Sequence, residues 1–143
     1  MIVLILSFGA MWALAAAVPA AELQYPGRGL LAIAIMLAGI VVVASGLREF
    51  RRHQTTVDPT KPEAASAVVT TGIYRRSRNP MYLGMLLTLV AWGVYLSSPI
   101  AALGPVMFFA YMNRFQIAPE ERALAKHFGA PYQDYLRSVR RWI

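Results

Sequence analysis

The chain of 143 residues contains no cysteine, which excludes a disulfide scaffold, a thiolate metal site and a cysteine nucleophile. Histidine is limited to His53 and His127, too few for a histidine-rich cluster, so no metal site is expected. Acidic residues are sparse, with seven Asp+Glu against 14 Lys+Arg. Charged residues of both signs reach only 15%, whereas a soluble domain of this size carries about a quarter. There is no G-x-G-x-x-G turn, so the fingerprint of a doubly wound nucleotide-binding fold is missing. No internal repeat and no low-complexity segment is visible.

What fills the sequence instead is apolar surface. Hydrophobic residues make up 57% and the mean hydropathy is +0.47. They come in four blocks, Ile2–Val18, Leu30–Leu47, Met81–Leu96 and Pro99–Met112. The first two are near the shortest length that crosses a hydrocarbon core of ~30 Å. Ser97-Ser98-Pro99 separates the last two and reads as a tight turn within a helical hairpin, and Pro105 is expected to kink the fourth helix. The small residues of "ALAAAVPAA" suit a cleavage site, yet no Lys or Arg precedes the first block, so it reads as a retained span. The fold class is therefore an all-α integral membrane protein of about four transmembrane helices in one domain over residues 1–143, with a helical C-terminal tail.

Charge asymmetry then sets sidedness. Residues 19–29 hold one basic residue, residues 48–80 hold seven, and the tail beyond 112 holds six. By the positive-inside rule both termini, the central loop and the tail face the cytoplasm, as in an inner-membrane protein. The same rule makes membrane, rather than nucleic acid, the partner of the excess positive charge.

Two polar segments flank the hairpin. The central connection "VDPTKPEAASAVVTTG" is irregular in composition, with Ala67–Thr70 extended and Gly72 in a turn. Pro80 can open the third helix, leaving Asn79 at the N-cap. Tyr74 and Tyr82 suit a membrane interface, and Arg75, Arg76 and Arg78 suit lipid headgroups. In the tail, Pro119, Glu120 and Glu121 open a helix with acidic charge at its positive end. Gly129 can end that helix and Pro131 restart another, giving two amphipathic helices that lie along the cytoplasmic membrane face.

Taken together, "GIYRRSRNPMYLG" and "EERALAKHFGAPYQDYLRSVRRW" resemble the isoprenylcysteine carboxyl methyltransferase and phospholipid methyltransferase family of integral membrane enzymes. The family pattern is G-x-Y-x-x-x-R-[HN]-P-x-Y-x-G, a helical hairpin, then E-E and F-G-x-x-Y-x-x-Y; the likeness covers Val68 to Trp142. It implies methyl transfer from S-adenosylmethionine to a lipid or small hydrophobic acceptor carrying a carboxyl, amine or thiol. By the resemblance, Val68, Val69, Tyr74, Arg78, Asn79, Pro80, Met81, Tyr82 and Glu120 bind the cofactor. Glu120, Glu121 and Arg114 are the candidates for catalysis. Asn79 stands where the family often has histidine, and it cannot act as a base. Gln116 stands where the prenylcysteine enzymes place an arginine for the acceptor carboxylate, with Arg114 a half-turn earlier. The competing reading is a non-enzymatic membrane scaffold or lipid-binding protein whose Arg137, Arg140, Arg141 and Trp142 engage anionic lipid.

Overall fold

A computed structural model describes residues 2–18, 25–54 and 67–143. Every regular element among them is helical: α1 (Ile2–Ala17), α2 (Arg28–Arg52), α3 (Pro80–Leu96), α4 (Leu103–Tyr111), α5 (Ala118–Phe128) and α6 (Ala130–Ser138), with short 3₁₀ turns at Gly72–Arg75 and Pro99–Ala102. The greater part of the central connection, residues 55–66, lies outside the described residues. Ala67–Thr70 form no strand. The chain divides into two compact units, one of Met1–Val41 with Gly84–Tyr111 and the other of Val42–Leu83 with Met112–Ile143.

The first unit is built for an apolar solvent. Leu30 is 77% exposed and Ile2 73%, with Trp12, Ile33, Leu37, Ile40 and Met107 also outward. Such a surface buries its side chains only if lipid covers it. Among the described residues α2, at 25 residues, is the one helix both long and apolar enough to cross a membrane. The apolar helices α1 and α3 are shorter, at 16 and 17 residues. The unit's interior is made by close approach of backbones. Met11, fully buried on α1, lies against Gly93 of α3 and Gly104 of α4, so that a Cβ on Gly104 would overlap the Met11 side chain. Gly39 of α2 meets Gly84 of α3 so closely that a Cβ there would lie 2.9 Å from the Gly84 carbonyl oxygen. Small residues at such crossings are how helices pack where no water drives them together. Phe8 and Trp92 add an edge-to-face contact at 6.0 Å.

Prolines and two residues of positive φ set the connections. Ser97 has φ 53°, and Pro99 opens a 3₁₀ turn, giving the expected tight reversal after α3. Pro105 falls in the first turn of α4, where an amide N–H is not required. The expected mid-helix kink is thus replaced by the 3₁₀ turn upstream. After α4 the backbone does not break; it widens into a π-helical turn over Met112–Ile117 and continues as α5. Pro119 lies just beyond, lacking the donor that a regular α turn would use. Gly129, at φ +63°, separates α5 from α6 in the left-handed region that glycine adopts freely.

In the second unit the apolar faces of α5 and α6 find a protein partner. Val69, Tyr74, Tyr132 and Tyr135 form a buried cluster, with Phe50, Val68, Leu124, Phe128, Leu136 and Val139 packed around it. The apolar faces of the two tail helices are thus turned at least in part to the protein itself. The periodicity was legible, but the segment between Val68 and Tyr74 takes up the face.

Candidate functional site

The segment Thr71–Asn79 is pinned from two sides. Towards α2, the Thr71 hydroxyl donates to Glu49 Oε2 at 2.6 Å and lies 2.8 Å from His53 Nε2. Gly72 follows at φ +56°, and a Cβ there would lie 2.5 Å from the Glu49 carboxyl carbon. Only glycine satisfies both the backbone and the space. Tyr74 then turns inward, edge-on to Phe50 at 5.3 Å, while Gly46 lets its hydroxyl approach α2. The Tyr135 hydroxyl donates to the Tyr74 carbonyl at 2.8 Å.

Towards the tail, Arg78 is the central brace. Its Nη1 donates to the carbonyls of Leu136 and Val139 at 2.7 and 2.8 Å, and its Nη2 to Glu121 Oε1 at 2.8 Å. Its backbone N–H donates to the Arg140 carbonyl at 3.0 Å. The Asn79 side-chain amide donates to the Arg141 carbonyl at 3.1 Å, so that side chain binds the tail as well as standing at the start of α3. Arg141 closes the arrangement. It donates to Glu121 through Nε at 3.2 Å and Nη2 at 2.5 Å, and to Asn113 Oδ1 at 3.2 Å, an oxygen that also accepts from Trp142 Nε1 at 3.1 Å.

The two adjacent acids therefore live in opposite electrostatic surroundings. Glu121 is flanked by two guanidinium groups, those of Arg78 and Arg141. Glu120 has neutral donors: the Tyr82 hydroxyl at 3.0 Å and the Gln116 side chain. Burial pushes its carboxyl above the usual carboxylate range, Glu121 adds to that, and the Tyr82 and Gln116 hydrogen bonds oppose it. Burial likewise raises Tyr74, Tyr132 and Tyr135, which stay neutral hydroxyls at any physiological pH.

Of the residues singled out from the sequence, Tyr82 and Glu120 meet directly, and Val68, Val69 and Tyr74 share one cluster. Pro80 is buried at the head of α3, with Met81 near Gly46. Arg114 is not brought to this site; it is exposed. Gln116, four residues before Glu120, is the side chain that hydrogen-bonds to it. Arg78, expected to bind the cofactor, has both terminal nitrogens on protein acceptors; its buried Nε has none. Sequence reasoning missed Glu49, Thr71 and the inward roles of Asn113 and Arg141. The Tyr132/Tyr135 spacing marked a helix face but not the bond from Tyr135 to the Tyr74 carbonyl. Among the described residues no group of three or more His, Asp or Glu side chains could hold a metal ion.

Comparison with known proteins gives this geometry a context. Residues 28–131 match the family described as phospholipid methyltransferase. Protein-S-isoprenylcysteine O-methyltransferase A of Arabidopsis thaliana is 31% identical over 108 residues, 73% of this chain and 53% of the plant protein. A probable protein-S-isoprenylcysteine O-methyltransferase of Oryza sativa subsp. indica is 30% identical over 119 residues, covering 81% and 58% of the two chains. An uncharacterized protein of Haemophilus influenzae is 46% identical over 63 residues, 44% of this chain and the whole of that shorter one. The chain spans about half the length of the plant methyltransferases it matches. No solved structure matches it. With the greater part of its length inside the match, the chain belongs to the phospholipid methyltransferase family.

Proposed function

We propose that the protein is a membrane methyltransferase that takes its methyl group from S-adenosylmethionine and passes it to a lipid or small hydrophobic acceptor. The observation that carries this reading is the imbalance between Glu120 and Glu121. A half-buried carboxylate held only by neutral donors is a site for a cation, since an opposite charge would favour its ionised form. S-adenosylmethionine is such a cation, bearing an ammonium and a sulfonium beside an adenine ring and a carboxylate.

The residues present fit that group. Glu120 would take the ammonium, and the aromatic faces of Tyr82 and Tyr74 would cover the sulfonium and the ring. Val68, Val69, Pro80 and Met81 supply apolar walls that keep water from the reacting centre. Asn79 and the unpaired Nε of Arg78 are the donors nearest in sequence for the ligand's carboxylate. When bound, the cofactor supplies an electrophilic methyl; the chain's own task is to hold it in line with the acceptor. Glu121, neutralised by two arginines, is a brace for the tail and not a base. A carboxylate acceptor needs no base, and an amine acceptor would have to bind already deprotonated, since Glu120 is taken by the ammonium. The neutral Gln116 beside Glu120 leaves the acceptor's own charge unfixed, which suits a lipid better than an acid requiring an arginine.

The scaffold reading loses support, because Arg141 and Trp142 are turned to Glu121 and Asn113. The decisive test is calorimetric titration of the detergent-solubilised protein with S-adenosylhomocysteine, paired with radiolabelled methyl transfer into membrane lipid extracts. Saturable binding that Glu120→Gln weakens, together with label in an extractable lipid, supports the proposal. Absence of binding by folded, monodisperse protein in restored lipid would overturn it.

A further inference from the structure

The last two turns of α2 present opposite faces to different surroundings. Gly46, Glu49 and His53 point towards Tyr74, Thr71 and Gly72. On the other side Ala44, Leu47, Arg48, Arg51 and Arg52 line an open concavity of about 400 Å³. These residues are spaced so that Ala44, Leu47, Arg48 and Arg51 fall at i, i+3, i+4 and i+7, which makes a single stripe along the helix. The stripe changes character abruptly, from apolar to strongly basic, at the end of a helix that is long and apolar enough to cross a membrane.

Arg52 shares an acid partner, Glu49 Oε1 at 3.3 Å, while its side chain stays 59% exposed. Arg48 and Arg51 are exposed and pair with no acid among the described residues. Some of this charge suits the negative end of the helix dipole, but the dipole alone does not require three guanidinium groups around a hollow. Ala44 is the small residue that leaves room above Arg48, and Leu47 gives the hollow an apolar wall. A guanidinium fork matches the oxygens of a phosphate in a bidentate manner that an ammonium does not.

We infer that this stripe is a binding site for an anionic phospholipid, with the phosphodiester held between Arg48 and Arg51 and an acyl chain lying along Leu47 and Ala44. The charge of the site and the apolar wall that continues from it favour a lipid over free phosphate. The site lies on the face of α2 turned away from Tyr74 and does not rest on the catalytic reading.

The test uses the whole protein in phosphatidylcholine nanodiscs doped with spin-labelled phosphatidylglycerol, reading the motionally restricted fraction by electron paramagnetic resonance. The protein selects phosphatidylglycerol over labelled phosphatidylcholine, and Arg48→Gln with Arg51→Gln reduces that selectivity on the order of fivefold per arginine. Arg48→Lys with Arg51→Lys, which keeps the charge, retains a measurable part of it and guards against misfolding of the neutral pair. Arg75→Gln with Arg76→Gln, equally basic and exposed, costs distinctly less of it than the Arg48/Arg51 pair. Full selectivity in the double glutamine variant overturns the assignment. So does equal loss in the Arg75/Arg76 control, which would indicate a general basic collar. Displacement by excess inorganic phosphate would identify a free-phosphate site and overturn it as well.

Discussion

Replacing Glu120 by glutamine should do two things at once, in opposite directions. The substitution keeps the side chain's shape and its capacity to accept from Tyr82 but removes the charge. A carboxyl whose folded pKa lies above its unfolded value favours the folded state when protonated, so its ionisation destabilises the fold as pH rises through the folded pKa. Abolishing the charge should therefore stabilise the ligand-free protein wherever Glu120 would otherwise be ionised, read as a rise in the unfolding midpoint. Against a cationic ligand the same change removes a charge-assisted hydrogen bond, about 1.5–3 kcal/mol, which is about tenfold to a hundredfold in Kd. The assay is calorimetric titration of parent and variant with S-adenosylhomocysteine along a falling pH series, with thermal unfolding of each ligand-free protein alongside. In the parent, affinity falls as pH drops through the raised Glu120 pKa, because protonation discharges the group that meets the ammonium. In the variant the profile is flat across that window. A variant that binds as the parent does, or a parent whose affinity ignores pH, would refute the reasoning about Glu120.

Three further outcomes follow from the packing. Arg141→Ala leaves Glu121 with a single guanidinium partner and frees Asn113 and Trp142; partial exposure of Arg141 limits the loss to about 2 kcal/mol, measured by thermal unfolding. Tyr135→Phe leaves the Tyr74 carbonyl without its donor and costs about 1 kcal/mol, with amide exchange rising around Thr71–Arg76. Gly104→Ala forces Met11 out of its place and costs about 1–3 kcal/mol; pairing it with Met11→Ala should recover much of that loss, as judged by monodisperse yield.

The sequence exposed those features that depend on local pattern. Helix starts at Pro80 and Pro99, the stop at Gly129 and the Tyr132/Tyr135 face are all set by residues within a turn of each other, so spacing alone reveals them. The meeting of Tyr82 with Glu120 lies across 38 positions, so no local spacing signals it; the two motifs read together only assigned both residues to one cofactor site. The roles of Arg78 and Arg141 were not legible, because nothing in a run of arginines distinguishes one that faces a headgroup from one that faces an acid. The end of α2 at Arg52 rather than near Leu47 was obscured for a related reason. Apolar content falls off at Arg48, yet the backbone has no cause to stop being helical there, and Glu49 has a partner in Thr71.

The brace at Arg78 has a bearing on how the protein is made. Its acceptors, the carbonyls of Leu136 and Val139, lie 58 and 61 positions later in the chain, and the Arg141 carbonyl that receives Asn79 lies 62 positions after it. A ribosome will have delivered α1, α2 and α3 well before these acceptors emerge. During that interval Arg78 must remain hydrated or pair with headgroups, and the second unit can close only when α6 and Arg141 arrive. Such long-range contacts are slow to form because the loop must be ordered before it is rewarded. A chain stalled before Leu136 would thus hold Arg78 without the two carbonyls that fix it, however far its earlier helices had formed.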